Sequence, residues 1–357
     1  VVGVGVSSLS KSIDLEKWEK LLQLGLDYRR ERCLGKNWAY YRAMRRGHFG
    51  LLDGYSPTLT YNLTYANGKV IVTSVYYRNP YFMCSPRGGY GRDSEIKAKV
   101  QEAYLNYLVD AINLKQTMRD AAQDAYECGT GVIKLGFDSE YGTPSSTEEH
   151  ADDGGELQLN KKGTEYIEWN GNVHAGMPWA LRIDPEQIIT PYGIRSPEDF
   201  DWIDHVYFRP LDDVKGSSLY RLPADFSGTH IASSKFFEYR QEEMDELSTL
   251  GQYVELHEIR DRRTRQVFVY APYGSAKKAI IRKEDSDVLQ DKYGLPFVFL
   301  QWNRDSERFW CSSDIALIEA QQHEMNESRT QSMEHRKRAL TKLLARQGIF
   351  PTPEEKA

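Results

Sequence analysis

Apolar residues recur at spacings of three and four at Leu15, Trp18, Leu22 and Leu26, which predicts an amphipathic helix near the start of the chain with Ser12 placed to cap it. Gly35 and Gly47 punctuate a shorter segment that carries Trp38, Tyr40 and Tyr41. Across residues 58–78 the pattern changes to β. Asn67-Gly68, between residues 60–65 and 70–77, is the strongest short-range hairpin signal in the chain, and Asn79-Pro80 closes the second strand. A second helical region starts near Asp93, carries Ile96, Val100, Tyr104, Tyr107, Ala111, Leu114, Met118 and Ala125 on one face and ends at Gly129. It reads as a scaffold element, either one unusually long helix or two joined near Asn113.

Residues 132–137 then form a strand after the Gly129-Thr130-Gly131 turn, and residues 139–163, with Glu148, Glu149, Asp152, Asp153 and Glu156 among Ser, Thr and Gly, have the composition of a mobile acidic surface loop. Between residues 164 and 303 the signals are mainly strands with short helices. Residues 253–259 and 266–270 flank the charged turn at 260–264 and predict an antiparallel hairpin, while residues 295–300 read as a buried strand with Pro296 near its start. No internal repeat is visible. From Ser313-Asp314 a helix-compatible run reaches Gln347 without Pro or Gly, a length on the order of 50 Å. Its apolar positions are sparse (Ile315, Ile318, Met325, Met333, Leu340, Leu343, Leu344), and between Glu319 and Arg338 it is polar nearly all round. A helix of that kind bridges solvent or packs against polar neighbours. Its charge is split, with Asp314, Glu319, Glu324 and Glu327 in the first half and Arg329, Arg336, Lys337, Arg338, Lys342 and Arg346 in the second, which also complements the helix dipole.

The 357 residues allow two domains, or one large one with an insertion. A balance of 46 Lys+Arg against 52 Asp+Glu, net −6, argues against a surface that clamps nucleic acid throughout but leaves room for a local basic site. The longest stretch without charge, residues 54–68, is full of Ser, Thr, Tyr and Asn, so no membrane span is expected. Cys33, Cys84, Cys128 and Cys311 lie far apart without a CxxC pair, which fits reduced thiols better than a disulfide framework or a zinc site. A secretory signal is not supported, the sequon at Asn62 reads as chance, and both ends read as cut from a longer polypeptide.

No GxxxxGK[ST] loop, HExxH, His/Cys cluster or GxSxG elbow occurs, so a P-loop ATPase, zinc catalysis and an α/β-hydrolase are not expected, nor is any cofactor. Carboxylates cluster at Asp184-Pro185-Glu186, at Glu198-Asp199 with Asp201 and Asp204, and at Asp212-Asp213. Paired carboxylates can act as acid and base, but beside Pro or at strand ends Asp more often caps a helix or makes a turn. The run from Trp38 to Arg46 interleaves aromatic and basic residues, which could stack on and neutralise nucleic acid. The commoner arrangement is a helix with an aromatic core face and solvated arginines.

Seven segments in order carry a resemblance: residues 77–82, the helix into Cys128-Gly129-Thr130-Gly131-Val132-Ile133-Lys134, Arg182-Ile183-Asp184-Pro185-Glu186, residues 201–206, residues 210–215, residues 295–300, and Ser313 through Ile318-Glu319 to Arg338. As a series they resemble the portal proteins of tailed bacteriophages. The resemblance implies an α+β, portal-like fold: a wing of mixed helix and antiparallel β over 1–303 and a long polar stem or tunnel helix within 304–357, with clip and crown outside this chain. It implies a homo-oligomeric ring of twelve copies at a capsid vertex of the virion, assembled in the host cytoplasm. Double-stranded DNA passes through such a ring during packaging and ejection, and the ring contacts the terminase motor, major capsid and scaffolding proteins and a head-tail adaptor, without membrane or catalysis. Arg329 and Arg336, seven apart and on one helix face, are then the DNA-facing candidates, and Glu319, Glu324, Glu327, Glu334, Lys337, Arg338, Lys342 and Arg346 the candidates for contacts between subunits. The acidic balance fits a conduit that passes DNA without gripping it, with weak, salt-sensitive binding. Alternatives are another head-tail adaptor or capsid-associated protein, and a carboxylate-dependent hydrolase built on Asp184, Glu186 and Asp213.

Overall fold

The computed structural model describes residues 13–32, 38–49, 59–86, 91–138, 156–159, 165–168, 176–228, 253–273, 277–285 and 294–339. These form a mixed α+β fold in which every strand pairing is antiparallel. Helices α1 (Leu15–Arg32), α2 (Trp38–Arg45), α3 (Leu63–Val75), α4 (Arg92–Ala111) and α5 (Leu114–Cys128) precede β1 (Thr130–Asp138). A small hairpin, β2 (Glu156–Leu159) with β3 (Glu165–Glu168), leads to β4 (Met177–Ile183), and β5 (Ile188–Ile189), β6 (Trp202–Pro210) and the short α6 (Leu211–Gly216) follow. Strands β7 (Tyr253–Asp261), β8 (Gln266–Tyr273), β9 (Lys277–Asp285) and β10 (Phe297–Gln301), the hairpin β11 (Asn303–Asp305) and β12 (Arg308–Ser312), and α7 (Asp314–Ala339) complete it.

Strands β5-β6-β7-β8-β9 make a five-stranded sheet and β10-β1-β4 a three-stranded one. Helix α1 lays Leu22 and Leu26, with Trp18 beside them, on one face of the larger sheet against Ile189, Trp202, Val206, Ile259 and Phe268. The close approach depends on Gly25, where a Cβ would stand 2.4 Å from the Thr190 carbonyl oxygen. On the other face α6 supplies Leu211 and Val214 to a cluster with Val254, Leu256, Val269 and Ile281. The largest cluster joins Tyr28, the aromatic residues of α2, Tyr126, Val132, Phe297, Phe309, Trp310 and Ile315. Residues on both sides of position 303 therefore share one core, and the long helix begins only at Asp314.

The expected hairpin over 58–78 is instead helix α3. Its Asn62 side chain accepts from the Tyr65 amide as an N-cap, and Gly68 serves packing rather than a turn: a Cβ there would lie 2.7 Å from the Tyr126 ring. Propensity at Asn67-Gly68 yields to the tertiary contact with α5. The first helix is capped by Asp14, which accepts from the Lys17 amide; Ser12 lies outside the described residues. Part of the expected loop 139–163 is strand β2, while 139–155 and 160–163 lie outside them. The long helical region is two helices, joined at Asn113 in the left-handed conformation with φ 51°. The 253–270 hairpin forms as expected, and in the 295–300 segment Phe297 is buried whereas Val298 is 49 % exposed.

Gly129 ends α5 with φ 86°, and a Cβ there would stand 2.0 Å from the Cys311 carbonyl oxygen. Gly129→Ala should therefore combine left-handed backbone strain with a clash against main chain, a loss of about 2 kcal/mol or more in urea unfolding. A loss within the ordinary ±0.5 kcal/mol of roughly neutral substitutions would contradict this packing.

Candidate functional site

The described part of α7 runs 26 residues, about 39 Å, and has two distinct halves; residues 340–347 lie outside the description. In the first half Ile315 enters the core, and the next buried side chains are polar: Gln322 and Asn326. Gln322 Oε1 accepts from the amides of Leu63 (2.9 Å) and Thr64 (3.3 Å), and its Nε2 donates to the Tyr61 carbonyl at 2.6 Å. Asn326 Oδ1 accepts from the Tyr61 amide at 2.8 Å, and Thr330 Oγ1 accepts from the Leu59 amide at 3.3 Å. The match is geometric. Side chains at 322, 326 and 330, each one turn or about 6 Å further along the helix, thus meet every second amide of residues 59–63 running the other way, the last of them at the tight Tyr61–Leu63 turn that opens α3. A polar helix is thus held by backbone hydrogen bonds in place of an apolar stripe.

Among the described residues beyond Thr330, only Met333 is even half-buried. Arg329, a DNA-facing candidate, lies on the anchored side with its guanidinium 6.0 Å from the centre of the Tyr61 ring. Arg336 is exposed, and its Nε donates to the Ser332 carbonyl at 3.3 Å. Glu324, Glu327, Glu334, Lys337 and Arg338 are exposed. Glu327 accepts from Gln331 at 3.1 Å and Glu334 pairs with Arg338 at 3.8 Å, so these residues engage their own helix here. Glu319 is half-buried and lies 3.9 Å from His323, whose Nε2 is 2.8 Å from the Tyr40 hydroxyl. Lys342 and Arg346 lie outside the described residues.

The aromatic face of α2 is core, as expected, but Arg42 is not solvated: it is a buried hub. Its Nη2 is 2.9 Å from Asp184 and 3.6 Å from Asp124, its Nη1 3.3 Å from Glu186 and its Nε 3.7 Å from Glu127. Arg45 pairs with Glu127 at 3.0 Å, and Arg182 grips Asp124 with both arms of its guanidinium and reaches Asp184 at 3.3 Å. Arg29 from α1 donates to the carbonyls of Glu186 (2.8 Å) and Ile188 (2.9 Å). Burial works to raise Asp184, but the charge and hydrogen bond of Arg42, with help from Arg182, hold it at about 2. Burial pushes Asp124 up to about 6 against the pull of Arg182 and Arg42. Asp184 also caps the turn at Pro185–Gln187, as the Asp-Pro pairing suggests.

These carboxylates do not assemble into the hydrolytic set considered from sequence. Asp184 and Glu186 are buried against Arg42, whereas Asp213 is exposed on α6 beside the larger sheet. Asp201 pairs with Arg263 at the surface. Asp204 is fully buried under α1 beside His257, whose Nδ1 lies 2.8 Å from Asp204 and whose Nε2 lies 2.9 Å from Glu255. Tyr270 stacks on the imidazole at 4.4 Å between ring centres. Burial would lower His257, but Asp204 and Glu255 raise it to about 9. On the opposite face Lys134 of β1 bridges the sheets, 2.8 Å from Glu258 and 3.2 Å from His205.

Sequence reasoning missed both buried clusters. Arg42 follows Trp38 by four positions and so shares its face, and His257 alternates with Glu255 and Ile259 on one side of a strand. Those offsets were the available signals. Among the described residues no group of His, Cys, Asp or Glu is placed to hold a metal ion, and no helix is long and apolar enough to cross a membrane. Cys84, Cys128 and Cys311 are free, and burial raises the Cys128 thiol. Compared with models of known protein families and with curated proteins, the chain matches none.

Proposed function

We propose that the chain is a subunit of a portal ring of the tailed-bacteriophage type, a twelve-copy conduit for double-stranded DNA at a capsid vertex and a platform for the terminase motor and tail attachment. The reading rests on the ordered resemblance of its segments, and the observation that carries it is α7: anchored through Gln322, Asn326 and Thr330, then bare on nearly every side from Gln331 to Ala339. A helix polar all round needs neighbours to hold it, and adjacent copies in a ring supply them. Arg329 and Arg336 would then give rings of positive charge, with Glu324, Glu327, Lys337 and Arg338 between subunits. Phosphate contacts of this kind carry no sequence information, which suits passage without grip.

Negative-stain microscopy and native mass spectrometry test the ring directly, and a stable monomer would sink the reading. Arg336→Glu is expected to leave rings intact while impairing packaging. Loss of assembly would assign Arg336 to the interface instead. Binding of isolated rings to DNA should be weak and should decline steeply with salt; tight, sequence-selective binding at physiological salt would count against a conduit.

A further inference from the structure

Residues 79–86 belong to no helix, turn or sheet, yet side chains of α4 hold them in place. Asn106 engages both main-chain groups of Phe82: its Oδ1 accepts from the amide at 3.0 Å and its Nδ2 donates to the carbonyl at 2.9 Å. One turn earlier Glu102 accepts from the Cys84 amide at 3.1 Å and the Tyr81 hydroxyl at 3.0 Å, and one turn later Asp110 accepts from Asn79 at 3.3 Å. A turn of four helical residues advances about 6 Å and two extended residues about 6.6 Å, so a segment held at 82 from 106 and at 84 from 102 is extended. Helix α4 stands where a neighbouring strand would.

In an extended chain the main-chain groups of successive residues point to opposite sides. Those of Phe82 and Cys84 face α4, so those of Tyr81, Met83 and Ser85 face away. Among the described residues, the amides and carbonyls of Tyr81 and Met83 make no hydrogen bond, and the two residues are 72 and 81 % exposed. Pro80 and Pro86, which lack a donor, fall in register with 82 and 84, so no outward position is proline or charged. Natural proteins blunt the strand edges they leave unpaired with charge or proline. Edge strand β9 follows that rule with Lys277, Lys278 and Lys283, and edge strand β4 with Pro178. The 81–85 edge carries no such protection.

We propose that the outward edge of residues 81–85 takes up an extended, uncharged segment of a partner protein as an added strand. Alternating main-chain donors and acceptors select an extended polypeptide whatever its side chains. The proposal goes beyond the ring reading and does not depend on it. A second copy pairing through this same edge would be related by a two-fold axis and would close a dimer, an arrangement the test separates. The probe is a capped, fluorescently labelled hexapeptide of alternating Thr and Val, uncharged and strand-forming, titrated by anisotropy against the full chain and against its Met83→Pro and Met83→Ala variants. Proline removes one outward donor, keeps a φ open to extended chain and spares the bonds of Phe82 and Cys84 to α4. Alanine removes the side chain and keeps the donor. The expected result is binding at high micromolar peptide, weakened about tenfold or more by proline and less than about threefold by alanine. No binding at millimolar peptide, equal binding by the proline variant, or equal losses in both variants overturns the proposal. A parent that sediments as a dimer, and a proline variant that does not, overturns it in favour of a second copy. Should circular dichroism show the proline variant unfolded, hydrogen exchange of the unmodified chain decides: exchange across residues 79–86 should slow several-fold with excess peptide, and equal rates would overturn the proposal.

Discussion

Arg42→Met is expected to cost about 3–5 kcal/mol of folding stability, a drop in thermal midpoint on the order of 10 °C. Methionine keeps an apolar stem of similar length but leaves Asp184 and Glu186, both buried, with their main cation gone and only the half-buried Arg182 still 3.3 Å from Asp184. An uncompensated buried carboxylate is far more costly than a missing surface pair. The pH dependence identifies the cause. Asp184, held at about 2 against an ordinary 3.8, adds stability that is present above pH 3.8 and lost as the pH falls through 2. Without Arg42 burial dominates, Asp184 rises above its ordinary value, and the variant should recover part of its loss on acidification through the carboxylate range. Urea unfolding across pH 2–8 measures this, at fixed protein concentration because assembly adds to apparent stability. A loss below about 1 kcal/mol, with the parent's pH profile unchanged, would remove Arg42 from its place as the hub.

His257→Gln should cost a comparable amount, again about 3–5 kcal/mol, by leaving Asp204 and Glu255 buried without their shared cation. His257 is raised from 6.5 to about 9, so its contribution is fully present below pH 6.5 and is lost as the pH rises through 9. The parent should therefore lose stability on the alkaline side across this range, and the variant should lack that limb. Glutamine can still bond one carboxylate, which separates the cation's effect from that of a missing hydrogen bond. An alkaline limb of equal depth in both proteins would place its origin elsewhere.

Much of the architecture could be read from local pattern: α1 from its period, the strand after Gly129 and the 253–270 hairpin lie where spacing and turn residues put them, and the break at Asn113 settles which of two open arrangements the long helical region takes. The failure at residues 58–78 has a single cause, since Asn67-Gly68 is a turn by propensity, yet Gly68 is where α3 needs no side chain against Tyr126. The buried charge clusters were harder. Arg42 looks like any helix arginine until Asp184, more than a hundred positions away, is folded onto it. For the candidate site, the polarity of α7 was visible but its partner was not, because the partner is main chain and backbone amides leave no mark in a sequence.

That main-chain attachment has a mechanical consequence. The bonds from Gln322, Asn326 and Thr330 are spread along α7 and along the antiparallel segment 59–63. A pull along the helix axis loads all of them in shear at once, whereas a force lifting the helix away peels them one after another. The joint is therefore stiff lengthwise and compliant sideways. Because its three side chains repeat at one-turn intervals, a slip of one turn would bring Asn326 and Thr330 to amides already shaped for such acceptors, so under axial strain the joint would yield in steps rather than by continuous creep.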